Sequence, residues 1–197
     1  MCIRDRFDAS LHQVETLICK GESLKRLNFL SGEDNRLKRF SIDCGYNSSR
    51  SYPLRNLDCL RFAKNLERLD IGRSGLESLD FATKLENLEQ VQLEFNKSIE
   101  SIEGLSGSAN SLKSIVLALN YQLYEYEVLE QPMPRLKKLV LSDFGSPSPY
   151  ARLQNVQLDL KGDLSRFDQL EIPNRTRIGE PNKMQALWKF YQEHEKW

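Results

Sequence analysis

The sequence predicts an α/β solenoid. A curved parallel sheet of short strands forms one side, short helices or turns form the other, and one apolar interior runs between them. Three observations predict it. The pattern Leu66-x-x-Leu69-x-Ile71 returns as Leu88-x-x-Val91-x-Leu93 and again as Leu112-x-x-Ile115-x-Leu117. The starts lie 22 and 24 residues apart, an interval that marks stacked supersecondary units. Asparagine falls at the same place after the second and third runs, as Asn96 and Asn120. Within each run the fourth and sixth positions share parity, so on a strand both point to one face. That face is the shared interior, and the residues between them point to a concave surface. An asparagine carried inward must have its amide paired, and the backbone of the stacked neighbour can supply the partners. The competing reading is an ordinary α/β domain with leucine-rich strands. Spaced copies with asparagines in register argue against it.

The runs also continue alike. The second proceeds through Asn96-x-x-Ile99-x-x-Ile102-x-x-Leu105, the third through Asn120-x-x-Leu123, and the first through Ser74-x-Leu76-x-x-Leu79. In this the chain resembles the leucine-rich repeat family. With Leu85 and Leu88 it looks like the short-repeat subclass that includes phosphatase-regulatory and splicing-factor subunits. The resemblance implies a leucine-rich-repeat solenoid that binds another protein and performs no catalysis.

The elements follow in order. Residues 1–6, Met1 to Arg6, show no periodicity and resemble the translated adapter sequence at the head of metagenomic reading frames. On that reading the chain is a fragment, and a missing signal peptide says nothing about export. The alternative is a short disordered start. Residues 7–172 are assigned to the solenoid. Leu11, Val14, Leu17 and Ile18 suit one face of a helix. Leu24-x-x-Leu27-x-Phe29 and Leu37-x-x-Phe40-x-Ile42 read as adjacent strands, joined by a minimal link through Gly32 to Asn35. The stretch Tyr46 to Pro53 combines Asn47, three serines and Pro53 and reads as an inserted loop. After the central runs, Leu136-x-x-Leu139-x-Leu141 keeps the interval, with Phe144 at the asparagine position. Leu153-x-x-Val156-x-Leu158 reads as the next strand, and Leu164, Phe167, Leu170 and Ile172 as one last short strand or helix. Residues 173–197 are a linker, Pro173 to Pro181, and an amphipathic helix with Met184, Leu187, Trp188 and Tyr191 on one face. That helix either caps the open core or docks a partner through Trp188 and Trp197.

Composition narrows the function. Lys+Arg and Asp+Glu both number 28 in 197 residues, so net charge is zero and a general polyanion-binding role has no support. Apolar residues make up 40%, ordinary for a folded chain, and no apolar run approaches the length of a membrane span. Cys2, Cys19, Cys44 and Cys59 lack C-x-x-C spacing and read as free thiols in a reducing, cytoplasmic setting, with a disulfide among them as the alternative. Cys44 lies where it could face the concave side, but only His12 and His194 could activate it and no motif links them. No P-loop, dinucleotide fingerprint, zinc-protease motif or nucleophile elbow occurs. Enzymatic activity, cofactor and metal are therefore not expected. N-x-[ST] matches at Asn47, Asn96 and Asn174 are weak, because Asn96 is expected to be buried.

The concave strip is the candidate site. Taking the outward positions of each run, the N-terminal half is charged, with Arg26, Arg39 and Arg68 in one column beside Asp43 and Asp70. Gln92 and Glu94 follow. The centre is apolar, with Val116, Ala118 and Val140 beside Lys138, and with Phe95 and Leu119 at the edge. A charged rim around an apolar centre is the anatomy of a protein interface. The bland alternative is that the Arg and Asp side chains pair along the sheet and bind nothing. Three functions compete. The first is an adaptor, monomeric by itself, that binds another protein on this strip. The second is the substrate-recognition part of a larger enzyme, such as a ubiquitin-ligase subunit, or of a receptor. The third is an RNA-associated adaptor, for which the arginine column is the only support.

Overall fold

The computed structural model describes residues 13–21, 36–45, 54–120, 122–123, 125–142, 157–158, 164–171 and 177–178. The strands are β1 (Thr16–Lys20), β2 (Arg39–Asp43), β3 (Arg68–Gly72), β4 (Gln90–Glu94), β5 (Ser114–Ala118), β6 (Lys138–Ser142), β7 (Gln157–Leu158), β8 (Gln169–Glu171) and β9 (Arg177–Ile178). Seven of them make one parallel sheet in the order β1-β2-β3-β4-β5-β6-β8, and β7 pairs with β9 in a second, two-stranded sheet.

Register follows from the repeat. Leu69, Val91, Ile115 and Leu139 sit side by side on neighbouring strands, as do Ile71, Leu93, Leu117 and Leu141. All eight are at most 2% exposed. Full burial of each such side chain contributes roughly 1.5–3 kcal/mol. A slip of one residue would turn every one of them to water, so the alternation itself fixes the pairing.

The return segments are 3-10 helices, at Asp58–Phe62, Asp80–Lys84, Glu103–Ser108 and Glu127–Glu130. The sequence explains why they are not α-helices. Leu54, Leu57, Leu60, Ala63 and Leu66 recur every third residue, as do Leu76, Leu79, Ala82, Leu85 and Leu88, and all ten are buried. A helix with three residues per turn stacks i and i+3 on one line, so this spacing puts each set on one inward edge. The hydrogen bonds agree: the amides of Ala82, Leu85 and Leu88 donate to the carbonyls of Leu79, Ala82 and Leu85 at 2.7, 2.9 and 3.1 Å. Each of the four helices begins with an acid, Asp58, Asp80, Glu103 or Glu127, placed against the positive end of its backbone dipole.

Three sequence expectations are corrected. Of the residues read as one helical face, Leu11 lies outside the described residues, while Leu17 and Ile18 belong to β1, in which Leu17 and Cys19 point inward and Ile18 points out, 53% exposed. β1 is the neighbour of β2 in the sheet, a place assigned from sequence to residues 24–29, which lie outside the described residues together with the Gly32 to Asn35 link. At the other end β6 pairs with β8. The run ending in Leu158 therefore does not continue the main sheet, since Gln157 and Leu158 pair with Arg177 and Ile178, inside the stretch read as linker. The last short element is both things at once, a 3-10 turn at Leu164–Arg166 followed by strand β8. The amphipathic C-terminal helix, Phe144 and residues 1–6 lie outside the described residues.

Candidate functional site: the open face of the sheet

The turn that ends each central strand shapes this face. Arg73, Phe95 and Leu119 hold φ of 54°, 57° and 58°, a left-handed conformation that costs a non-glycine residue about 1–2 kcal/mol. That conformation swings the next residue inward. Ser74, Asn96 and Asn120 are accordingly at most 2% exposed. Asn96 Oδ1 accepts from the Ser74 amide at 2.9 Å and from the Ser74 hydroxyl at 2.7 Å, while its Nδ2 donates to the Ile71 carbonyl at 2.9 Å. Asn120 Oδ1 accepts from the Asn96 amide at 3.2 Å and its Nδ2 donates to the Leu93 carbonyl at 2.9 Å. Each amide thus ties its coil to the one before. The burial of Asn96 also removes it as a glycosylation acceptor.

On the outward side the residues fall into columns set by register. One column runs Thr16, Arg39, Arg68, Gln90, Ser114, Lys138 and Gln169. The next runs Ile18, Ser41, Asp70, Gln92, Val116, Val140 and Glu171, and the third Lys20, Asp43, Gly72, Glu94, Ala118 and Ser142. Arg39, Arg68, Asp70, Gln92, Glu94, Val116, Ala118, Lys138 and Val140 therefore share one face. Arg26 lies outside the described residues, and Thr16 holds the place beside Arg39, so among the described residues the column carries Arg39 and Arg68 in register.

Electrostatics divides the face. Asp70, only 16% exposed, receives Arg68 Nε at 2.9 Å and Arg39 Nη2 at 3.5 Å. Arg68 also donates to Gln90 Oε1 at 3.3 Å. Two guanidinium groups share one carboxylate, which leaves a positive surplus, and the buried Nε of Arg39 has no hydrogen-bond partner. Arg73 donates to both carboxylate oxygens of Asp43 at 3.0 and 2.8 Å and lies over the Phe95 ring, 5.0 Å from its centroid. Sequence reasoning missed Arg73, because its column exists only once the left-handed turn is known. The apolar centre is less open than expected. Val140 is 7% and Leu119 9% exposed, and Val116, Ala118 and Phe95 are half-buried. Val116 and Val140 are register neighbours and shield each other. The centre is a shallow apolar step, not a broad exposed patch.

Cys44 does not face this surface. It is 1% exposed, and burial first, then Asp43 and Cys19, pushes its thiol up to about 11. Burial raises Cys19 as well. Thiols held neutral in this way are not nucleophiles at neutral pH. Among the described residues, Cys19, Cys44 and Cys59 form no disulfide. His12 and His194 lie outside the described residues. Among the described residues no group of His, Cys, Asp and Glu could hold a metal ion, and no helix is long and apolar enough to cross a membrane. A polar cleft of about 480 Å³ runs along the N-terminal ends of the strands past Glu15, Lys38, Glu67 and Glu89. Of the charges that line it, Lys38 pairs with Glu15 at 3.4 Å, and Glu89 pairs with Lys113 at 2.7 Å.

The parallel stack of short strands, alternating with 3-10 turns and laced by buried asparagines, is a solenoid of the kind that the leucine-rich-repeat resemblance implies. No protein-family model and no curated protein matches the chain. Among solved structures it is similar to an internalin from Listeria monocytogenes, with 16% identity and a TM-score of 0.40 over 77% of this chain and 52% of that one. The chain thus spans about half the length of that internalin.

Proposed function

We propose that this chain is a non-catalytic adaptor, active in the cytoplasm, that binds another protein on the open face of its sheet. The observation that carries the proposal is the step formed by Val116, Ala118 and Val140. These residues point away from the leucine core, which is already filled by Ile115, Leu117, Leu139 and Leu141. Val140 is covered in part by Val116, and the half-buried Val116 and Ala118 leave apolar surface that a partner side chain could cover. The charged half formed by Arg39, Arg68 and Asp70 supplies the polar border of such an interface. Free, buried thiols at Cys19 and Cys44 support a reducing compartment. The paired state of Arg68 and the zero net charge weigh against the RNA alternative.

The test is a double variant, Arg68→Glu with Val116→Asp. Both side chains leave the core contacts untouched, so circular dichroism should match the parent chain. Proteins captured by the tagged parent should be lost by the variant. Retention of the same partners by a folded variant would remove the open face from consideration.

A further inference from the structure

Among the acids whose side chains are described on the open face, Glu94 is the one with no cation beside it. Asp70 is shared by Arg68 and Arg39, and Asp43 is held by Arg73. Among the described residues, the Glu94 carboxylate accepts a hydrogen bond from Gln92 Nε2 at 2.8 Å. Arg73, on the turn next to it, is committed to Asp43 and to the Phe95 ring. Register then isolates Glu94 further. Its neighbours in the column are Gly72 on β3 and Ala118 on β5, so no long side chain flanks it on either strand. The residue as a whole is half-buried. Beside it lie Val116 in the next column and Phe95 at the edge.

From this arrangement we infer that the open face takes a protein segment presenting a lysine or arginine to Glu94, with an apolar side chain next to it seated on Val116 and Val140. The small residues on both sides give the incoming cation room to reach the carboxylate along the strand-to-strand direction, where neighbours stand about 4.8 Å apart. The apolar step excludes water from one side of the new ion pair, which strengthens it over a fully exposed one. The Gln92 amide holds the carboxylate in place beforehand, so little ordering is needed when the partner arrives. The inference rests on the open face being the docking surface, and the experiment separates the two.

Random twelve-residue peptides displayed on phage are selected against the full chain. The selected sequences are synthesised, and their affinities are measured by fluorescence anisotropy on four proteins: the parent chain, Glu94→Gln, Val116→Asp and the off-site control Glu86→Gln. The expected result is a basic residue next to an apolar one in the selected peptides. Their affinity should fall about tenfold on Glu94→Gln, fall on Val116→Asp and stay unchanged on Glu86→Gln. A charge swap, Glu94→Lys against the peptide with its cation replaced by glutamate, should recover binding. Loss on Val116→Asp with full retention on Glu94→Gln would overturn the cation-anchor role alone. Full retention on both, or selection of no binder at all, would overturn the docking surface and the anchor together.

Discussion

Replacing Asn96 by alanine should destabilise the chain more than replacing Asn120, and the structure says by how much. Without its side chain, Asn96 leaves three buried groups without this partner: the Ser74 amide, the Ser74 hydroxyl and the Ile71 carbonyl. Asn120 leaves two, the Asn96 amide and the Leu93 carbonyl. Each buried group stranded in this way costs about 1–3 kcal/mol, with partial relief where water can follow the deleted side chain. Asn96→Ala should therefore cost about 3–4 kcal/mol and Asn120→Ala about 2 kcal/mol. The assay is urea unfolding followed by far-ultraviolet circular dichroism. An unchanged slope against denaturant shows that stability, not the unfolded ensemble, has moved. Since Asn120 bonds to the backbone amide of Asn96 and not to its side chain, the Asn120 step should survive in Asn96→Ala. Equal losses for the two variants, or losses below about 1 kcal/mol, would refute the hydrogen-bond accounting.

Two other perturbations follow from the packing. A Cβ on Gly104 would collide with the Leu79 carbonyl, whereas one on Gly72 would find nothing nearer than 3.6 Å. Gly104→Ala should thus cost at least about 3 kcal/mol by forcing adjacent return helices apart, and Gly72→Ala should leave the melting temperature nearly unchanged; similar melting for both would show that the coils are less tightly nested. The Cys44 thiol is raised in the folded chain from 9.0 to about 11. Its contribution to stability is whole below pH 9 and is lost as pH rises to 11, by about 2–3 kcal/mol in all. Urea midpoints at pH 8 and 10.5 should therefore fall further for the parent chain than for Cys44→Ala, and identical falls would contradict it.

The central coils were legible because two codes overlap there. Parity sets the strand face, and a spacing of three sets the return helix. The ends were not legible, for reasons visible in particular residues. Val14-x-x-Leu17-x-Cys19 begins 23 residues before Leu37, at the regular interval. Its second inward position is Cys19, a small hydrophobe when buried but a weaker apolar signal than the leucines of the central runs. The nearby Leu11 and Ile18 then completed a helical pattern by coincidence. Near the C-terminus two runs match the motif, one ending in Leu158 and one through Phe167 and Leu170. Only the pairing of β6 with β8 selects between them, and pairing depends on the path of the intervening chain.

The outward columns follow from parity once register is known, but the state of each side chain does not. Whether Arg68 reaches into solvent or onto Asp70 is a choice of rotamer against a neighbour two residues away, and the sequence carries both. That choice bears on how the open face would work on the proposed reading. A partner carboxylate must compete with Asp70 for Arg68 and Arg39, so the charged half has little affinity left to give. Its residual positive field would still steer approach. The Val116 step has no such competitor, and water released from it would favour the bound state directly. Charge neutralisation by Arg39→Gln should therefore slow association by a few-fold and weaken its salt dependence, while Val116→Asp should speed dissociation. Stopped-flow traces of the two variants with a captured partner would separate these effects. A change in dissociation rate alone for Arg39→Gln would mean that the guanidinium is released from Asp70 on binding and makes a contact of its own.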